Sequence, residues 1–344
     1  MSTTGSIKVS HFGFLPSQQE VFCYTLTNRL GFELSIMNVG AAIVSLKIPI
    51  PGNGKADVVL GFDSLEDYLH SYRIAQSPFF GAIVGRYAGR IGHAAFSLNG
   101  HPIGLTKNHG KHHLHGGFNG FSRAFWQVTG LNHGDDPSIS MRYISPDGEE
   151  NYPGELTTDL TYTLTESGEL IVGCSATCTE DTIINLTQHS YFNLDGHTHS
   201  VLGQELTVQA DRILETDGEL IPTGRFTELN GLPIDFRTAK QCPESIDTSF
   251  VIDQKHPAQA TLYSAKNKLC MTVSTDQPSI HIYVGGDCGN IIPGKDGAAY
   301  HRTSGICFEA QNFPDAPNHQ HFPSALLKKG ETYHLETRFA FKYV

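Results

Sequence analysis

The chain holds 344 residues, 39% of them hydrophobic and only 17% charged, which is enough apolar material for a large buried core. Lys and Arg number 24 against 35 Asp and Glu, a formal net charge of −11 with histidine neutral. With no basic run to meet a phosphate backbone, nucleic acid is excluded as an expected partner. No stretch approaches the roughly 20 apolar residues that cross a bilayer, and the opening MSTTGSIKVSHFGF lacks the apolar core of a signal sequence, so the expectation is a cytoplasmic protein with no membrane partner. Seven scattered cysteines (Cys23, Cys174, Cys178, Cys242, Cys270, Cys288, Cys307) with no CxxC pair read as reduced thiols rather than a disulfide framework or zinc knuckle.

Glycine (35) and proline (17) punctuate the chain at short intervals, and the segments between them mostly alternate apolar with polar residues, the period of β-strands. In chain order, PGNGKAD (51–57) has a Gly-Lys step but lacks the first glycine and the hydroxyl of a phosphate-binding loop, and reads as a hairpin turn. SLEDYLHSY (64–72) is the best helix candidate, with Ser64 as N-cap and acids in the first turn. GAIVGRYAGRIGH (81–93) sets Arg86 and Arg90 four apart among small residues, so on a strand both would share one face. In HAAFSLNGHPIGLT (93–106), Asn99-Gly100 predicts a type I′ hairpin. Further hairpin signals stand at Ser167-Gly168 and Lys266-Asn267, and the closing ETYHLETRFAFKYV alternates again.

Histidine is abundant, at 18, and clusters in NHGKHHLHGG (108–117) and HSYFNLDGHTH (189–199). His-x-His pairs such as His113/His115 and His197/His199 would share a strand face as metal ligands, yet no carboxylate or thiol third ligand stands close by, so no metal site is expected. Proton transfer is the other chemical use of the side chain, whose free pKa of ~6.5 lies near neutrality. In GICFEAQNFPDAPNHQHFP (305–323), Glu309 alternates with Phe308 and Ala310 and should point away from the core, while Asp315 and Asn318 read as turn-formers and Cys307 as a buried thiol. The reading is a single domain over 1–344, an all-β, large antiparallel sandwich with very little helix.

Eight stretches in order resemble the aldose 1-epimerase family: DVVLGFDSLEDY, FGAIVGRYAGRI, LHGGFNGF, NYPGEL, HSYFNLDGH, IPTG, DFR and FEAQNFPDAPNH. That resemblance implies a β-supersandwich with an open sugar cleft, interconversion of the α and β anomers of free aldoses such as D-galactose and D-glucose, and no cofactor. Matched by position, Glu309 is the expected general base and His189 the general acid, facing each other across a pyranose. Arg90, Gly89, His115, Tyr191, Asp247 and His281 are the expected sugar-binding residues. The chain departs from the family pattern at Gly89 (often Asn), His112 (often Asn), Thr248 (usually His) and His281 (commonly Gln), which bears on sugar preference. A hexose-phosphate epimerase of the same fold would want more basic residues than 11 arginines and a net charge of −11 supply, and a non-catalytic sugar-binding module would not need both Glu309 and His189. The expected partner is therefore a small-molecule aldose, taken by a monomer or weak homodimer.

Overall fold

The computed structural model describes residues 5–74, 77–285 and 291–344; Cys288 lies outside them. Three large sheets dominate. Ser6–Phe14, Glu20–Thr27, Glu33–Met37, Ile43–Pro49 and Lys55–Asp57 form a five-stranded meander. A nine-stranded sheet runs in the order Gln127–Asn132, Ser138–Ser145, Leu156–Leu164, Glu169–Cys178, Tyr333–Tyr343, Leu269–Thr275, Ala260–Ser264, Glu205–Val208, Lys240–Gln241. A six-stranded sheet runs in the order Tyr191–Phe192, Ile306–Gln311, Ser279–Val284, Ile246–Ile252, Ala210–Thr216, Pro222–Glu228. Neighbouring strands pair antiparallel, as for Leu156–Leu164 with Glu169–Cys178 and Ser279–Val284 with Ile306–Gln311.

Alternation along the strands sorts side chains between core and solvent. Leu160, Tyr162, Val172, Met271, Val273 and Phe339 of the nine-stranded sheet share one hydrophobic cluster with Ile280, Ile282, Ile306, Phe308 and Ala310 of the six-stranded sheet. Phe192 sits at the seam, its ring centroid 4.9 Å from Phe339 and 6.3 Å from Phe308. The expected sandwich is thus present, and the core-facing side of the six-stranded sheet commits its other side to the functional cleft.

The hairpin expectations hold. Asn99 (φ 50°) and Gly100 (φ 82°) take the left-handed conformations of a type I′ turn between Ala95–Leu98 and His101–Gly104. Residues 51–54 turn between Ile43–Pro49 and Lys55–Asp57. Leu65–Ser71 is an α-helix capped by Ser64, whose side chain accepts the Asp67 N–H; among the described residues no helix is long and apolar enough to cross a membrane.

One buried ion pair ties a distant segment to this frame. Lys295 Nζ donates to Asp57 Oδ2 at 2.7 Å and to the Val44 carbonyl at 3.0 Å. Asp57 also accepts from Ser45 Oγ and the Leu46 N–H. Burial opposes the Asp57 charge, but Lys295 and these hydrogen bonds outweigh it and hold the carboxyl below its ordinary range.

Candidate active site

A cleft of 680 Å³ opens on the polar side of the six-stranded sheet, and all eight sequence-predicted site residues line it. Register explains why. Glu309 lies directly opposite His281, His281 opposite Ser249, and Asp247 opposite Tyr283. Because a strand repeats every second residue, Asp247 and Ser249 share a face with His281 and Glu309, while Ile282, Phe308 and Ala310 go to the core.

The remaining groups come from connections around this sheet. His189 stands between Thr187–Gln188, which pairs with Ile83–Val84, and Tyr191–Phe192, which pairs with Ile306 and Cys307. Its N–H donates to the Ala82 carbonyl at 2.9 Å, and its own carbonyl accepts from Gly81 at 3.0 Å, so the backbone is clamped on both sides. Arg90 and His115 come from the ladder in which Leu114 pairs with Arg90.

His189 Nε2 lies 3.5 Å from Glu309 Oε1, with both residues buried. This spacing differs from the expectation that the two flank a pyranose from opposite sides. The two groups stand side by side on one wall of the cleft. His189 Nδ1 is 3.8 Å from the Cys307 thiol, which is buried as expected.

His115 accepts the Gly89 N–H through Nδ1 at 3.2 Å, so its neutral ring carries the proton on Nε2. Burial, then the neighbouring His189, Arg90 and His281, push its pKa well below the ordinary histidine value. His115 is therefore a neutral donor. Its ligating nitrogen, that of His189 and a Glu309 oxygen all lie within 4.8 Å of one another, close enough to consider a metal ion. Ligation through the free Nε2 would move the proton to Nδ1 and turn it against the Gly89 N–H, so the trio suits proton transfer better than metal binding.

Asp247 receives His281 Nε2 at 2.9 Å and has Arg90 Nη2 at 3.6 Å from its other oxygen. Burial opposes its charge, but the His281 hydrogen bond, with the charges of His281, Arg90 and His115, holds it well below the usual carboxylate range. Gly89 has φ 78°, and a Cβ there would sit 3.0 Å from the Pro314 side chain. The asparagine common at this place in the family accepts such a backbone but would press on Pro314.

Several sequence-based readings are corrected. Arg86 and Arg90 do not share a strand face, because Ile83–Val84 and Arg90–Ile91 are separate two-residue strands with a turn between them. Arg86 is 1% exposed, and its guanidinium donates to the Ser145, Pro153 and Gly154 carbonyls, outside the cleft. The His-x-His pairs are divided in use. His113 is held by the Thr106 carbonyl and the Tyr152 hydroxyl, and His197 by Asp296 and Tyr300, whereas only His115 reaches the cleft.

Two residues escaped sequence reasoning. Phe79 packs its ring 5.0 Å from His115 and 5.8 Å from His189 while holding φ at 52°, an uncommon conformation for a bulky residue; nothing in its sequence context announces this. Ser249 also went unread, although its two-residue offset from Asp247 places both on one strand face and was the signal that could have found it.

A buried carboxylate 3.5 Å from a buried imidazole, with Arg90, His115, Asp247 and His281 around them in one cleft of an antiparallel sandwich, is an arrangement able to move protons. The aldose 1-epimerase profile matches residues 23–340. Galactose mutarotase of Sus scrofa is 37% identical over 347 residues, covering 98% of both chains, and aldose 1-epimerase of Escherichia coli K12 is 30% identical over 343 residues, covering 95% of this chain and 96% of that protein. The crystal structure of an aldose epimerase homologue from C. elegans superposes with a TM-score of 0.84 at 30% identity, over 92% of this chain and 98% of that one. The chain belongs to the aldose 1-epimerase family.

Proposed function

We infer that this chain is an aldose 1-epimerase, interconverting the α and β anomers of a free aldose by opening and reclosing the ring. The observation that carries this reading is the 3.5 Å approach of His189 Nε2 to Glu309 Oε1 inside a cleft that Arg90, His115 and Asp247 also line. Ring opening needs the anomeric hydroxyl to lose its proton while the ring oxygen gains one, and both oxygens are bonded to the same carbon. In our assignment Glu309, as carboxylate, takes the hydroxyl proton, and protonated His189 supplies the ring oxygen. The open-chain aldehyde then turns, its other face is attacked, and both transfers reverse. Atoms and charges balance over the cycle, so the protein ends as it began.

Neutral His115, Arg90 and ionised Asp247 hold ring hydroxyls, and charged hydrogen bonds to such groups are stronger than neutral ones. Polarimetry on freshly dissolved α-D-galactose tests the reading. Wild-type protein is expected to speed the approach to anomeric equilibrium, and Glu309→Gln to slow it by about 100- to 10,000-fold, the range of a positioned acid or base. Equal rates for the two proteins would mean a sugar binder without this chemistry.

A further inference from the structure

His281 occupies a position where the family commonly has glutamine, which carries no titratable charge. Its ring is bridged on both sides by one neighbouring strand: Nε2 lies 2.9 Å from Asp247 Oδ1, and Nδ1 lies 2.8 Å from Ser249 Oγ. On the opposite strand, Glu309 faces it directly. Arg90 approaches the same site through Asp247, and His115, neutral as argued above, completes the surroundings.

Half-buried Asp247 and buried Glu309 flank this ring, with Arg90 3.6 Å from the first and His189 3.5 Å from the second. Because His281 Nε2 lies 2.9 Å from Asp247, closer than Arg90, an imidazolium at 281 gives that carboxylate a direct charge-assisted hydrogen bond. Both ring nitrogens then donate, Nε2–H to the carboxylate and Nδ1–H to the serine hydroxyl oxygen.

We propose that His281 works as an imidazolium strapped between Asp247 and Ser249, a positioning residue that holds Asp247 aimed at a sugar hydroxyl through a charge-assisted hydrogen bond, so that its loss of a proton weakens sugar binding rather than proton transfer. This rests on the mutarotase reading of the cleft. The electrostatics agree in direction: burial disfavours the charge, but the hydrogen bond and charge of Asp247, then Glu309, overcome it and raise the histidine above its ordinary value. The charged form is thus fully present below the ordinary histidine pKa and is lost as pH rises through the elevated one.

Because mutarotation leaves the sugar at anomeric equilibrium, calorimetric titration with equilibrated galactose reads Kd on the active protein across a neutral-to-alkaline pH series. Wild type is expected to lose about tenfold in affinity along this series, the size of one charge-assisted hydrogen bond, while kcat does not follow the same limb. In His281→Gln that limb in Kd and KM disappears, since an amide N–H still reaches Asp247 without titrating. In Ser249→Ala it moves to lower pH, because the acceptor for Nδ1–H is gone. Nitrogen-15 spectra of the ring at residue 281, recognised by its displacement in Ser249→Ala, report the proton directly and serve if His281→Gln does not fold.

A ring that is neutral at neutral pH, or a Kd limb unchanged in His281→Gln, overturns the proposal. Failure of the mutarotase reading shows separately, as a polarimetric rate indifferent to Glu309→Gln.

Discussion

At position 189 the proposed reaction calls for a proton to be delivered to a ring oxygen, whereas at position 115 burial beside His189 and Arg90 keeps the imidazole neutral. On that proposal two neighbouring histidines, with ring centroids 5.4 Å apart, take different tasks, one moving a proton and the other only donating a hydrogen bond. Free glutamic acid and free histidine titrate near ~4.3 and ~6.5, so a working carboxylate–imidazolium pair gives a rate profile that falls on both sides. For His189→Asn the expected outcome is the loss of the alkaline limb of kcat, with turnover reduced about 100- to 10,000-fold. The measurement is the kcat–pH profile by polarimetry, and an unchanged alkaline limb would remove His189 from the role. His281 is distinguishable in the same data because its limb belongs to KM.

Among the elements, the strand Ile306–Gln311 joins stability to chemistry, since Phe308 and Ala310 enter the shared core while Glu309 faces the cleft. Phe308 is 1% exposed and packs against Phe192, so Phe308→Ala is expected to cost about 3–5 kcal/mol, checked by urea denaturation. The alternation of Phe308, Glu309 and Ala310 was legible in the sequence, and so were the Asn99-Gly100 turn and the Ser64 cap, because each depends on neighbours close in the chain. The Arg86 environment was not. Its carbonyl partners come from residues 145–154, and no periodicity in 81–93 encodes a contact of such sequence separation. Phe79 was invisible for a similar reason, since its partners lie 36 and 110 positions further along, at His115 and His189. The family resemblance gathered the cleft residues into one site, while the side-by-side placement of Glu309 and His189 required the fold.

Across the whole molecule, Lys295 and Asp57 are 238 residues apart and join the segment after the cleft strand Ser279–Val284 to the five-stranded meander. Removing one partner leaves the other charge buried and unpaired, so Lys295→Ala is expected to destabilise the fold by about 3–5 kcal/mol, read from denaturant midpoints near neutral pH. Asp57 has a lowered folded pKa, so its contribution is present above the ordinary aspartate value of ~3.9 and fades as pH falls through the folded one. The gap between wild type and Lys295→Ala should therefore narrow under acid conditions. A gap that is constant with pH would show that the methylene packing of Lys295, rather than its charge, supports the segment.

The pairing of His281 with Glu309 has a consequence for errors in folding. A slip of one residue between their strands would turn Glu309, the proposed base, into the oil-filled interior and bring Phe308 or Ala310 out to face the cleft. Misthreaded copies of the protein would then be inert, not sluggish, and a preparation containing them would show a reduced number of working molecules at unaltered per-molecule speed.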